Sequence, residues 1–215
     1  MKKQFFLIAL FCAALLTVSC TEEKPYPSLI SDFVCVQTDR AGSLQYLLTD
    51  EGTTYSVELS DSYTQKHDTL PTYVADSIYR VVAMYEPDAE NNSCLLYDIS
   101  TIYSRAPFAP GEDIVPAYDP VYLQSIRKSG NYLNIILQLF SLNGKHHLGV
   151  LDTTEEGKAG IDLTLIHKSV DDVESYRQRI YMSIPLEKCN LSSGDTIRFH
   201  ANLYNEGMKT WVFVY

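Results

Sequence analysis

The stretch SLNGKHHLGVLD, Ser141 to Asp152, holds two adjacent histidines just after an Asn-Gly pair. Imidazole ligates metals, moves protons near neutral pH and orients nucleophiles, so the doublet raises all three chemistries. Successive side chains of a strand point to opposite faces, which separates His146 from His147. Asn143-Gly144 is a two-residue hairpin signal, and a hairpin there pairs Leu142 with Lys145, Ser141 with His146 and Leu139 with Leu148. His146 then shares a face with Leu148 and Val150, while His147 lies on the other face beside Phe140. The doublet cannot easily chelate one ion. A second pairing brings in Ile161, Leu163, Leu165 and His167, which share a face. A register with Val150 opposite Leu163 puts His146 opposite His167, with Cβ atoms about 5 Å apart. Asp171 and Asp172 follow in the next loop, so His146, His167 and Asp171 form the candidate metal set. No ligand motif spans them, and the expectation is no metal and no cofactor.

Other catalytic patterns are missing. G-x-S-x-G, H-E-x-x-H, the P-loop and G-x-G-x-x-G do not occur, so no catalytic residue is assigned and no enzyme is expected. Glu155-Glu156 and Asp171-Asp172 are carboxylate pairs in polar loops, where solvated charge explains them. A glycosidase would need two carboxylates brought together by the fold.

Sixteen tyrosines and one tryptophan suggest stacking on sugar rings, although tyrosine also favours sheets with one wet face. Tyr46, Tyr55, Tyr97, Tyr103 and Trp211 are the binding candidates. The triplets Asp68-Thr69-Leu70, Asp76-Ser77-Ile78 and Asp152-Thr153-Thr154 resemble short O-glycan acceptors of exported Bacteroidetes proteins, with Thr69, Ser77 and Thr153 as the acceptors. Asp195-Thr196-Ile197 also matches but opens a strand.

The first residues set the compartment. A basic MKK, an apolar QFFLIALFCAALL and small residues before a cysteine have the layout of a secretory signal over 1–19. Cleavage before Cys20 resembles bacterial lipoprotein processing, so Cys20 is the expected lipidation site. Several acyl chains on one residue anchor a protein without a transmembrane helix. The formal net charge is −10, and loss of Lys2 and Lys3 with the signal makes it more negative. Such a chain lacks the cationic surface that nucleic acid requires. The expected place is the cell envelope, lipid-anchored to the outer membrane. The acidic residues of TEEKPYPS resemble an export tag and extend that to surface exposure. Cys35, Cys94 and Cys189 show no metal spacing, and buried free thiols fit them better than a Cys35–Cys94 bridge.

These side chains need elements to position them. Residues 20–30 are polar, proline-bearing and non-periodic, a tether. Over 31–103, DFVCVQT, LQYLLT, TTYSVEL, YRVVAMY and CLLYDISTIY read as five strands of a small barrel, with a hairpin turn at Asp50 to Gly52. LPTYVADSI would hold a short helix. Residues 104–120 carry Pro107, Pro110, Pro116 and Pro120, which excludes a central strand and makes this segment the linker. Seven strand patterns then fill 121–215, as expected for an antiparallel β-sandwich.

LLTDEGTTY, the proline-rich linker, GNYLN, HHLGVL and LTLIH with acidic residues beyond it occur in an order that resembles the NigD-like lipoproteins of Bacteroidetes. The resemblance implies an all-β chain, an N-terminal OB-like barrel followed by a C-terminal antiparallel β-sandwich. It implies no agreed activity; the family's founding association is with a bacteriocin operon, where immunity was suggested. The expected function is non-catalytic binding of a macromolecular partner, in bacteriocin immunity or surface adhesion. A carbohydrate-binding accessory lipoprotein is the alternative, and a metal-dependent or glycoside-acting enzyme comes third.

Overall fold

Val34 and Val36 point into one hydrophobic core, while Phe33 and Cys35, which alternate with them, face the second half of the chain. A strand buried on both sides reads as an unbroken apolar run, which is why FVCV shows no alternation. The computed structural model describes residues 28–66, 73–109, 115–142, 144–172 and 175–215. The signal segment with Cys20 lies outside the described residues, and so does Thr69.

Five strands close the barrel: β1 (Ile30–Thr38), β2 (Leu44–Thr49), β3 (Thr54–Leu59), β4 (Ile78–Asp88) and β5 (Ser93–Thr101). Their order is β1-β2-β3-β5-β4, with β3 and β5 parallel and the other pairs antiparallel. This is the OB-like barrel expected from the sequence. The Asp50–Gly52 turn forms as anticipated, closed by Thr49 N–H donating to the Thr53 carbonyl at 2.9 Å. The helix lies elsewhere than expected. It is α1 (Asp61–Lys66), directly after β3, and not LPTYVADSI, of which the described part is extended or turn. Ser60 starts it by accepting the Tyr63 N–H on its hydroxyl at 3.1 Å, an N-cap the sequence reading overlooked. Tyr63, 1% exposed, then fills the barrel core.

The second half is a sandwich. One sheet has the order β10-β7-β6, from β6 (Tyr122–Ser129), β7 (Tyr132–Ser141) and β10 (Tyr176–Pro185). The other has the order β12-β11-β9-β8, from β8 (Lys145–Asp152), β9 (Ile161–Val170), β11 (Thr196–Leu203) and β12 (Gly207–Val214). One pair departs from the antiparallel expectation: β9 and β11 run parallel. Leu133, Ile135, Leu137 and Leu139 face Val150, Leu163, Leu165 and Phe199 across the core. Each fully buried Leu or Ile contributes roughly 1.5–3 kcal/mol.

The hairpin expected between β7 and β8 does not form. β7 and β8 belong to different sheets, so the pairs Leu142–Lys145, Ser141–His146 and Leu139–Leu148 are replaced by a crossover between layers. The proline-bearing segment runs along the sandwich. Tyr103 bridges Met182, Phe108 bridges Leu151, and Tyr118 bridges His167. Cys35, Cys94 and Cys189 are free, and burial pushes the thiols of Cys94 and Cys189 up to about 11.

The two halves meet on Arg80 of β4. Its guanidinium grips Asp50 at 2.6 and 2.8 Å, and its Nε donates to the Ser183 hydroxyl at 2.9 Å. Nη2 also reaches the Asn134 side-chain oxygen at 3.0 Å, and the Tyr132 ring lies 3.8 Å from the guanidinium carbon. Gly130, at φ +50°, brings the β6–β7 turn so close that an added Cβ would lie 2.6 Å from the Asp50 carbonyl oxygen. Arg80→Ala leaves Asp50 buried without its cation and is expected to cost about 3–5 kcal/mol. Trp211, the sole tryptophan, reports on the sandwich. The Arg80→Ala fluorescence transition in urea should separate from the far-UV circular dichroism transition, and coincident transitions would reject two separable units.

Candidate functional site

β8 and β9 set the histidines. They pair antiparallel with Leu148 opposite His167 and His146 opposite Ser169, two residues away from the register expected from sequence. A shift of two keeps every face, so His146 and His167 still share one side and meet diagonally. Their rings lie 5.2 Å apart and nearly parallel, with His146 Nδ1 2.9 Å from His167 Nε2. His147 is exposed on the other side.

The carboxylate partner is Asp172 rather than Asp171. Asp171 takes a left-handed conformation, φ 52°, and is exposed. Asp172 Oδ2 lies 2.7 Å from His146 Nε2, and its Oδ1 accepts the N–H groups of Leu142 and Gly144, each at 2.9 Å. Gly144 matters for this approach and not for a hairpin: a Cβ there would sit 2.1 Å from the Cβ of Asp172. At the far end, His167 Nδ1 lies 3.0 Å from the backbone carbonyl of Asp119. His167 is 4% exposed, and the Asp172 side chain is 2% exposed.

The arrangement dictates its own protonation. Three contacts join four ring nitrogens to a carboxylate at one end and a carbonyl at the other, and both ends only accept. Each contact takes one proton from one of its two partners. Burial, aided by the neighbouring His146, lowers the pKa of His167 below its ordinary value, which makes it the neutral ring. It donates to the Asp119 carbonyl, which only accepts, and so accepts from His146. The Leu142 N–H, with His146 and Gly144, outweighs burial and holds the Asp172 carboxyl well below the usual carboxylate range.

Every ring nitrogen is engaged, leaving no lone pair aimed at a common metal position. Among the described residues no group of three or more His, Cys, Asp or Glu side chains is arranged to hold a metal ion. Asp162, 4% exposed, is likewise saturated by Arg198, Lys158 and His200. Glu155 and Glu156 are exposed in their loop.

The aromatic candidates do not form one groove. Tyr46 is exposed at 37%, Tyr55 packs near Tyr85, and the Tyr97 hydroxyl donates to Glu86 at 3.3 Å. Trp211 packs against Phe199 at the sandwich core. Tyr103 lines a cleft with Arg105 and His147. An aromatic cluster does exist among residues the sequence did not single out. Tyr122 stacks on Tyr204 at 4.6 Å, Phe140 meets both edgewise, and Arg177 lies 3.9 Å over Tyr122. These residues come from separate segments, so no spacing announces them. Of the glycan acceptors, Ser77 donates to the Ala75 carbonyl, and Thr153 bonds Asp162 and Thr164.

The model of the NigD-like C-terminal beta sandwich domain matches residues 108–215, half the chain. The chain belongs to the NigD-like family. A NigD-like immunity protein from Bacteroides caccae has the same fold at 24% identity and a TM-score of 0.71, over 88% of this NigD-like chain and 98% of that one. A protein of unknown function from Bacteroides vulgatus matches at 17% identity and a TM-score of 0.64, over 87% and 91%. No curated protein matches. Among the described residues no helix is long and apolar enough to cross a membrane.

The tautomer of His167 has a direct readout. Nitrogen-15 spectra at neutral pH should show its Nδ1 protonated and its Nε2 bare, and the reverse tautomer would refute the chain. The low pKa of His167 stabilises the fold fully above its ordinary value of 6.5 and is lost as pH falls from there. Asp172 acts in the same direction below its ordinary 3.8. Unfolding free energy should therefore drop on acidification below about pH 6.5, and His167→Asn should flatten the upper part of that drop.

Proposed function

We propose that this NigD-like protein is a lipid-anchored component of the cell envelope that binds a macromolecular partner and catalyses no reaction. One observation carries the reading. The chain's strongest catalytic constellation, Asp172–His146–His167, ends on the Asp119 carbonyl and holds its protons internally. A general base needs a free nitrogen within reach of a substrate proton, and here each nitrogen already has a partner. The likeness to a NigD-like immunity protein supports bacteriocin immunity as the concrete form, with surface adhesion beside it.

Outer-membrane anchoring rests on the signal that ends before Cys20. A second reading, glycan binding, has its support in Tyr122, Tyr204 and Phe140 under Arg177. Stacked aromatics with a planar cation suit a sugar face and its hydroxyls.

Cys20→Ala should abolish incorporation of labelled palmitate and release the protein from the membrane fraction. Retention of this variant in membranes would defeat the anchor. The released form, immobilised and exposed to detergent-extracted envelope, should retain one protein partner reproducibly. Binding to a glycan array without any retained protein would instead favour the sugar reading.

A further inference from the structure

β8 is an edge strand only partly covered. On the side away from β9, Phe108 N–H donates to the Val150 carbonyl at 2.8 Å and Asp152 N–H donates to the Phe108 carbonyl at 2.9 Å. Strand alternation turns the N–H and C=O groups of His146 and Leu148 to the same outer edge. There they have no backbone partner among the described residues. This chain's own extended segment thus pairs with half of the edge and stops.

A cleft of about 760 Å³ adjoins the open half. Phe108, Val115, Leu148 and Ile166 give it apolar walls. Gly149 leaves room for the Phe108 ring, since a Cβ there would lie 2.6 Å from it. Arg105, His147 and Lys168 line the same cleft and are exposed, and among the described residues their side chains make no hydrogen bond or ion pair. No carboxylate occurs among its described lining residues, in a chain of net charge −10. The Tyr103 hydroxyl, also in this lining, is buried without a hydrogen-bond partner.

We propose that the cleft takes an extended, acidic segment of a protein partner, which adds as a short strand to β8 at His146 and Leu148. Its acidic side chain lies against Arg105 and Lys168, and alternate apolar side chains enter between Phe108 and Leu148. A fatty acid would suit the cations and the apolar walls but leave the edge N–H and C=O groups unpaired. A peptide backbone satisfies both, which is strand addition to an exposed edge. The inference rests on the partner-binding reading and names the surface and chemistry that reading leaves open.

The test uses the full mature chain with Cys20→Ala. Random heptapeptides displayed on phage are selected against it, and the best peptide is measured by fluorescence anisotropy and amide hydrogen exchange. Selected sequences should be rich in Asp and Glu alternating with apolar residues. The best peptide should slow exchange at His146 and Leu148. Arg105→Ala with Lys168→Ala should weaken it about tenfold or more, at an unchanged unfolding midpoint. No acidic enrichment, unprotected edge amides, or equal affinity for the double variant would each overturn the proposal. Displacement of the peptide by decanoate with the edge amides left unprotected would overturn it in favour of a lipid. Envelope capture that survives the double variant would sink this cleft and leave partner binding standing, whereas failure of the parent to capture any partner would sink the broader reading.

Discussion

The Arg80–Asp50 pair is the interaction on which the relation of the two halves depends. Their side chains are 5% and 3% exposed, so both charges have left water. Removing ions from water is expensive, and attraction compensates only when the geometry is good and the remaining donors are satisfied. Here Asn134 donates to Asp50 at 2.8 Å and accepts from Ser183 at 2.7 Å, while Ser183 accepts from Arg80. The network closes on itself across strands β4, β7 and β10. Burial works against the Arg80 charge, but its contacts with Asp50 prevail and the Arg80 pKa is raised. An apolar contact would hold the halves with less directional constraint; a planar guanidinium gripping a carboxylate holds them in one orientation. The Phe33–Tyr181 edge contact and the Arg127–Asp32 pair add to the same junction.

The histidine chain solves a different problem. The crossover from β7 to β8 leaves the N–H groups of Leu142 and Gly144 at the rim of the sandwich. Asp172 accepts both and ties the end of β9 to that crossover. Its other oxygen lies 2.7 Å from His146 Nε2. In a serine-type triad the imidazole has one nitrogen on a carboxylate and the other on a nucleophile. Here the second position is occupied by another imidazole and then by a backbone carbonyl. The same atoms that elsewhere move protons here fasten a loop to a sheet.

The strands, their faces and the two-part β architecture were legible in the sequence, because side-chain alternation is local and Leu133 to Leu139 or Ile161 to His167 declare their inner faces unaided. The positions of the turns were legible too. Their meaning was less so: Asn143-Gly144 has the composition of a hairpin, yet the strands on either side of it belong to different layers. A two-residue pattern reports that the chain bends, not which sheet receives the next strand. The histidine register failed by two residues for a related reason. Alternation fixes a face, and any even shift preserves it.

By itself the sequence determined the composition of each face and the order of elements that marks the family, while the free state of Cys35 and Cys94 came from the structure. Only the tertiary structure decided that Asp172 and not Asp171 meets His146, that Asp119 ends the chain, and that Arg80 meets Asn134 and Ser183. Those contacts join residues far apart along the chain, and their geometry depends on how two sheets and a barrel pack. Packing is a property of the whole core, set by shape and volume, and no local spacing encodes it.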